Sequence, residues 1–171
     1  VIRNVLVCPL NYDHEQLGLE QAFHGIFTGG NAITFDYLQR QRWGQSNDEI
    51  NEKLFWAAIA NGEKPAADWL WLQTQETEVI TAETLQRIRE VSPRTVITHW
   101  TGDMRTEISP YMASICKATH ATLASSRGQL GAFAAAGAPR AEYLQIGVDW
   151  DEDIQGNPAW EPPFRVPTVV F

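Results

Sequence analysis

Residues that could take part in proton transfer or polar recognition follow one apolar run, in the stretch TVITHWTGDMR from Thr95 to Arg105. His99 can titrate near neutral pH and can act as a general base towards a hydroxyl group. Asp103 and Arg105 lie close enough in sequence to orient that imidazole or to bind a polar ligand. We therefore predict a catalytic pair, His99 and Asp103, with further ligand contacts from Trp100, Thr101, Gly102 and Arg105.

Six short runs of β-branched and apolar residues indicate the strands that would position this stretch. They are Ile2–Cys8, Ala32–Phe35, Trp69–Gln73, Thr95–Thr98, His120–Ala124 and Glu142–Gln145. The third run is apolar on both faces, which is typical of a strand inside a sheet that is covered on both sides. On this reading, His99 follows the end of the fourth strand.

Helical spacing and capping residues occur between the strands. The first predicted helix is capped by Asp13, with Gln16 three places on, and continues to the Gly29-Gly30 break. Further helices are predicted from Ser46 to about Asn61, from Thr81 to before Pro93, from Tyr111 to Lys117, and from Ser126 to Gly137. The residues SNDE at Ser46 and SRGQ at Ser126 both fit a capping box. Alternating strands and helices predict an α/β domain with a doubly wound parallel sheet, in the order 3-2-1-4-5-6.

That strand order predicts where a ligand would bind. Strands one and four would be neighbours, with a crevice beyond their carboxyl ends. Asn11, Tyr12 and Asp13, which follow strand one, would then face the His99 stretch across the cleft. Ser126 and Arg127 precede the last helix, and its free backbone amides would form an anion site with them at the mouth of the sheet.

Composition and charge narrow the function classes. The chain has 171 residues, 13 basic and 21 acidic, with a net charge of -8. This acidic balance disfavours a broad contact with nucleic-acid phosphates. Cys8 and Cys116 form no CxxC pair, so we expect buried free thiols in a reducing compartment. Without an apolar run long enough to span a membrane or a signal-peptide pattern, we expect a cytoplasmic protein.

Several motifs with known chemistry are missing. The first strand is followed by PLNYDHEQ, without the G-x-G-x-x-G of dinucleotide-binding domains. The end of the strand itself carries none of the acids that receiver domains need there. The phosphate-binding loop of NTPases, the G-x-S-x-G elbow and the H-E-x-x-H zinc motif do not occur. DWDEDIQGNPAW lacks the glycine and the final glutamate of a calcium loop. We expect no metal and no resident cofactor.

Three stretches resemble glycosyltransferases of the GT-B architecture, in particular bacterial proteins similar to the spore-maturation CgeB-like group. They are RNVLVCPLNYDHEQLGLEQAF, the pair ADWLWLQ and TVITHWTGDMR, and AAGAPRAEYLQIGVDWDED. The resemblance implies a Rossmann-like N-terminal domain on the acceptor side at residues 1–146. It implies an interdomain linker at 147–167, and at 168–171 the first strand of a second domain that binds the nucleotide-sugar donor.

The resemblance also assigns roles to residues. His99 resembles the cleft histidine near the acceptor and the donor sugar, and Asn11 and Tyr12 match the loop after the first strand. Gly147 and Asp149 match the exit towards the second domain, while Trp100, Asp103 and Arg105 would set acceptor choice. We expect an acceptor that is a small molecule, a glycan or a protein, and a nucleotide sugar as co-substrate. This chain alone would transfer nothing.

A second hypothesis stays open at this stage. The chain could be a non-catalytic Rossmann-like module that binds a ligand or a protein. A nucleotide-binding hydrolase is disfavoured, because no phosphate-loop signature is present.

Overall fold

The computed structural model describes residues 2–11, 17–27, 30–60 and 65–145. Within these ranges the chain forms six strands and six helices, joined into one Rossmann-like α/β domain. The strands are β1 Asn4–Cys8, β2 Asn31–Thr34, β3 Trp69–Leu72, β4 Val96–Thr101, β5 Ala121–Ala124 and β6 Ala141–Tyr143. The helices are α1 Leu17–Ile26, α2 Tyr37–Arg42, α3 Asn47–Ala58, α4 Ala82–Val91, α5 Pro110–Ala118 and α6 Leu130–Ala135.

The sheet is parallel throughout, with the order 2-1-3-4-5-6. The predicted order 3-2-1-4-5-6 is wrong, because β3 lies between β1 and β4. The connection through α2 and α3 crosses back over β1 before β3 begins. This placement suits β3, whose tryptophans and leucines need cover on both faces, and it confirms that β3 is an interior strand. The order reverses between β1 and β3, so the crevice of the switch point lies there.

Side chains alternate between the two faces of the sheet. Leu6, Leu70 and Ile97 lie in the larger core, together with residues of α3, α4 and α5. Val5 and Trp71 lie in the second core with Phe23 of α1, and Trp69 and Trp100 pack against it. His99 and Thr101 are therefore on the face of the larger core, and Trp100 is on the opposite face.

Two local predictions about helix starts have different outcomes. The capping box at Ser46 is confirmed, because Ser46 accepts from the Glu49 amide and the Glu49 carboxylate accepts from the Ser46 amide. The capping box at Ser126 is wrong, because its side chain makes no cap hydrogen bond and the chain first forms a 3-10 turn at Arg127–Gln129. The Gln129 side chain donates to the Arg105 carbonyl at 2.6 Å, so it is not available to complete the box.

Strand β4 is longer than its sequence pattern suggested. It was predicted to end at Thr98, but it continues to Thr101 because β5 pairs with it from Thr98 to Thr101. His99 and Trp100 are thus residues of the strand and do not follow it. Helix α2 was not predicted. It begins after Asp36, whose carboxylate accepts from the Gln39 amide at 2.7 Å.

Candidate functional site

His99 is enclosed in the core beneath the carboxyl edge of the sheet. Its side chain is 0% exposed. Its Nε2 lies 3.3 Å from Thr74 Oγ1, in the loop after β3, whereas Nδ1 has no hydrogen-bond partner among the described residues. Burial, with a smaller contribution from the Arg105 charge, lowers the pKa of His99 to about 3. The imidazole is therefore neutral at physiological pH.

Arg105 connects the loops that follow β3 and β4. Its guanidinium Nη1 lies 2.5 Å from Glu76 Oε1, and Nη2 donates to Gln75 Oε1 at 2.5 Å. Nη2 is also 3.6 Å from Asp103 Oδ2. Only 11% of the Arg105 side chain is exposed, whereas 65% of the Asp103 side chain is exposed. Arg105 is thus engaged mainly within the protein, and Asp103 presents its carboxylate to solvent.

Gln75 joins this group from an unusual backbone conformation. Its φ is 46°, in the left-handed region that residues other than glycine adopt infrequently. Thr101 at the end of β4 donates to Gln75 Oε1 at 3.0 Å, the same oxygen that receives Arg105. Ser109, at the N-terminus of α5, donates to Glu76 Oε2 at 2.6 Å. We call Gln75, Glu76, Thr101, Asp103 and Arg105 the Arg105 cluster.

Three residues of this region were missed by sequence reasoning, namely Gln75, Glu76 and Gln129. The sequence carries a signal for Gln75, because the polar run Gln73–Gln75 directly follows the apolar strand β3. In the structure this run is buried. Buried polar side chains need hydrogen-bond partners, so a polar run at the end of an interior strand indicates a hydrogen-bond network there.

Asn11 belongs to a different group at the end of β1. Its Nδ2 donates to Asp36 Oδ2 at 2.9 Å, and its carbonyl accepts from Arg42 Nη2 at 2.6 Å. Both of these partners follow β2, and β3 separates β1 from β4, so the prediction that Asn11 faces the His99 stretch is wrong. Tyr12, Asp13, Gly147 and Asp149 lie outside the described residues, as do the predicted linker at 147–167 and the segment 168–171.

Trp100 and Gly102 form one packing unit on the other face. The Trp100 ring stacks on Trp71 at 6.4 Å, with 21° between the ring planes. Its indole N–H donates to the Leu144 carbonyl at 3.4 Å. A Cβ at Gly102 would lie 2.7 Å from Trp100 Cη2, so the glycine permits this ring position. Both residues lie next to the cluster in sequence, but Trp100 faces α1.

The residues predicted to bind an anion have other contacts. The Arg127 guanidinium lies 4.5 Å from the centre of the Tyr143 ring, in a cation–π arrangement. Ser126 makes no cap contact with the turn that follows it. An anion site at these two residues remains a prediction.

Further titratable groups are buried away from solvent. Cys8 and Cys116 are free, and burial raises the pKa of both thiols, as predicted for structural cysteines. Burial also raises the pKa of Tyr111 to about 12. In the ranges that the structure describes, no three His, Cys, Asp or Glu side chains are grouped so that they could hold a metal ion. None of the described helices is both long and apolar enough to cross a bilayer.

A small groove of about 40 Å³ opens at the opposite, amino-terminal edge of the sheet, between β1, β2 and α3. It is lined mainly by apolar atoms and by the side chains of Asn4, Val5, Leu6, Asn31, Ile33, Ala57, Pro65 and Ala67. None of the predicted site residues lines it. We therefore keep the Arg105 cluster at the carboxyl edge as the candidate functional site.

Comparisons with known proteins identify no family for this chain. No family model matches the chain, and no curated protein matches it. Among solved structures, NtrX from Brucella abortus in complex with ADP is similar, with 12% identity and a TM-score of 0.36. The match covers 91% of this chain and 25% of NtrX, so this chain spans about a quarter of that protein. The fold of this chain is defined by the hydrogen-bonded pairing of its own six strands.

Proposed function

We propose that this chain supplies the acceptor side of the cleft in a two-domain sugar-transferring enzyme of the GT-B architecture. The observation that supports it best is the Arg105 cluster. It ties together the loops after two interior strands at the carboxyl edge of a parallel sheet, the edge at which α/β domains bind ligands. The resemblance of the sequence to the CgeB-like group gives this edge its chemistry.

In this proposal the proton acceptor is Asp103. Its carboxylate is largely exposed, and the distance of 3.6 Å to Arg105 lies beyond hydrogen-bonding range, so its oxygens are available to a ligand. Asp103 takes the proton of an acceptor hydroxyl as the hydroxyl oxygen bonds to the anomeric carbon of the donor sugar. The bond from that carbon to the nucleoside diphosphate breaks, and the leaving group keeps its electron pair.

We assign the role of general base to Asp103 and not to His99 for two structural reasons. His99 is fully buried, and its lowered pKa makes it a weak base at neutral pH. The nucleotide sugar would be held mainly by a second domain beyond this sequence, so the 171-residue chain alone would bind an acceptor without transferring sugar to it.

The test uses the polypeptide encoded by the whole reading frame that contains this chain. It is offered a panel of nucleotide sugars with glycan, peptide and small-molecule acceptors, and released nucleoside diphosphate is measured. Asp103→Asn should lower kcat about 100-fold or more with little change in KM, because removing a general base costs on the order of 10²–10⁴-fold. Glu90→Gln is the control, since Glu90 is exposed on the last turn of α4, towards the amino edge.

A non-catalytic ligand-binding module is the second candidate. The burial of His99 and the internal engagement of Arg105 favour it, because both withdraw predicted ligand-contacting groups from solvent. The same panel separates the two functions. Saturable binding of an acceptor or nucleotide sugar by the full polypeptide, with no consumption of any donor, would support the module and refute the transferase.

A further inference from the structure

Two buried polar atoms on neighbouring strands lack an oxygen or nitrogen partner. They are His99 Nδ1 on β4 and Thr122 Oγ1 on β5, neither of which has an oxygen or nitrogen hydrogen-bond partner among the described residues. His99 pairs in register with Thr122, and both side chains are fully buried. Register partners in a parallel sheet point to the same face from strands about 4.8 Å apart. Rotation about the Cα–Cβ bond of Thr122 can therefore direct its hydroxyl at the imidazole.

The other side of the imidazole shows which nitrogen carries the proton. His99 Nε2 lies 3.3 Å from the Thr74 hydroxyl, and either group could in principle donate. Thr74, however, has its own acceptor in the Gln75 carbonyl at 3.5 Å. It also faces Tyr111, whose hydroxyl proton is already donated to the Ile80 carbonyl at 3.0 Å.

The Gln75 carbonyl and the Tyr111 hydroxyl can thus each accept a hydrogen bond from the Thr74 hydroxyl. Thr74 donates away from the imidazole, and His99 must donate from Nε2. The other ring nitrogen, Nδ1, is then a bare lone pair in the core, and a buried acceptor of this kind needs a donor. The hydroxyl of Thr122, the register partner of His99 on β5, is the donor available to it.

We infer that His99 is a neutral positioning residue at the centre of a hydrogen-bond relay that crosses the sheet. Thr122 donates to Nδ1 of His99, and Nε2 of His99 donates to Thr74. Thr74 in turn fixes the loop one residue before Gln75. Gln75, in its left-handed backbone conformation, then holds the Arg105 cluster. The relay connects β5 to the candidate site without any of its members reaching a ligand.

The charged and titratable groups near this relay agree with a neutral imidazole. The Cys116 thiol of α5 interacts with the Thr122 side chain, and burial raises the pKa of that thiol, so it remains uncharged. An uncharged thiol can donate weakly to Thr122 Oγ1, which leaves the Thr122 proton for His99 Nδ1. Arg105 disfavours a second positive charge at His99. The inference goes beyond sugar transfer, and it holds or fails whether the chain serves an enzyme or a binding module.

The tautomer is tested by long-range ¹H–¹⁵N NMR of the 171-residue chain labelled at histidine. His99 is assigned by the signal that disappears in His99→Gln. The relay predicts a neutral ring protonated at Nε2 from about pH 8 to about pH 5, a range over which ordinary histidines titrate. A proton at Nδ1, or conversion to imidazolium near pH 6.5, would overturn the inference.

The Thr122 contact is tested by a matched pair of variants. Thr122→Val keeps the side-chain shape and removes the donor, so the His99 Nδ1 resonance should shift. Thr122→Ser keeps the donor and should restore the wild-type position. Thr122→Val replaces only the hydroxyl group, by a methyl group. An Nδ1 resonance that is unchanged in this variant would therefore refute the relay.

The coupling to Gln75 is tested at His99 itself. A glutamine amide reaches the position of Nε2, and an asparagine amide reaches only that of Nδ1. His99→Gln should therefore keep the backbone amide resonance of Gln75 near its wild-type position, and His99→Asn should move it. Equal effects of the two variants would contradict a positioning role. If His99→Asn does not fold, the Gln75 amide resonance is measured in the Thr122 pair, and a position that is unchanged in Thr122→Val would contradict the coupling.

Discussion

Replacement of Arg105 by alanine should destabilise the protein far more than loss of an ordinary surface arginine. The side chain is 11% exposed, and its guanidinium makes two contacts of 2.5 Å, to Glu76 and to Gln75. Hydrogen bonds that involve a charged group contribute about 1.5–3 kcal/mol each, and part of this is recovered by hydration of the half-exposed Glu76. We expect a loss of about 3 kcal/mol, which lowers Tm by about 6–12 °C in a domain of this size.

The assay is urea unfolding of the 171-residue chain followed by tryptophan fluorescence, with Tm from calorimetry. Arg140→Ala is the matched control. Arg140 pairs with Glu142 at 2.9 Å, but the two side chains are 70% and 50% exposed, so its loss should cost about 0–1 kcal/mol. Glu76→Gln, alone and combined with Arg105→Ala, completes a double-mutant cycle. A coupling energy within about 0.5 kcal/mol of zero, or equal losses in Arg105→Ala and Arg140→Ala, would refute our account of the cluster.

Three further predictions concern a helix start, the buried histidine and a glycine. Ser46→Ala should cost about 1 kcal/mol in urea unfolding, because it removes the cap of α3, whereas Ser46→Asp should cost less; equal losses would contradict the capping role. The pKa of His99 is lower in the folded state, so stability should fall as pH decreases from about 6.5 towards 3, by up to about 1.4 kcal/mol per pH unit. The pKa of His120 is also lowered, and this contribution is the same in the wild type and in His99→Gln. The wild type should therefore lose more stability on acidification than His99→Gln, and parallel stability profiles of the two proteins would contradict this. Gly102→Ala should displace the Trp100 ring and change tryptophan fluorescence, whereas Gly131→Ala, where an added Cβ meets no atom within 4 Å, should not; identical spectra for the two variants would show that Gly102 is not needed there.

Local patterns in the sequence were sufficient to predict most elements of the fold. Apolar spacing predicted a helix after β1, which the structure describes over Leu17–Ile26. Side-chain caps predicted the helix starts at Ser46 and Thr81, and such caps depend on residues a few positions apart. Gly137 also ends its helix as expected, with φ at 100°. These features need no knowledge of distant contacts.

Features that depend on distant partners were not predictable in the same way. Nothing local distinguishes the order 3-2-1-4-5-6 from 2-1-3-4-5-6, since both obey right-handed crossovers. The end of β4 is set by its pairing with β5, about twenty residues later, and this moved His99 from a strand end into the core. Gln129 could complete a capping box, but the Arg105 carbonyl is its partner instead.

The candidate site illustrates the same limit. Thr101, Asp103 and Arg105 are neighbours along the chain, and their side chains also lie close together in the structure. The sequence could not show that Gln75 and Glu76, about thirty residues earlier, complete the group, because only the adjacency of β3 and β4 brings them together.

The most direct test of the central claim is the release of nucleoside diphosphate by the full encoded polypeptide with and without Asp103. We expect the wild type and Glu90→Gln to consume a nucleotide sugar in the presence of an acceptor, and Asp103→Asn to have a kcat lower by about 100-fold or more. Turnover in Asp103→Asn equal to that of the wild type, or no donor consumed by any of the three proteins, would contradict that claim.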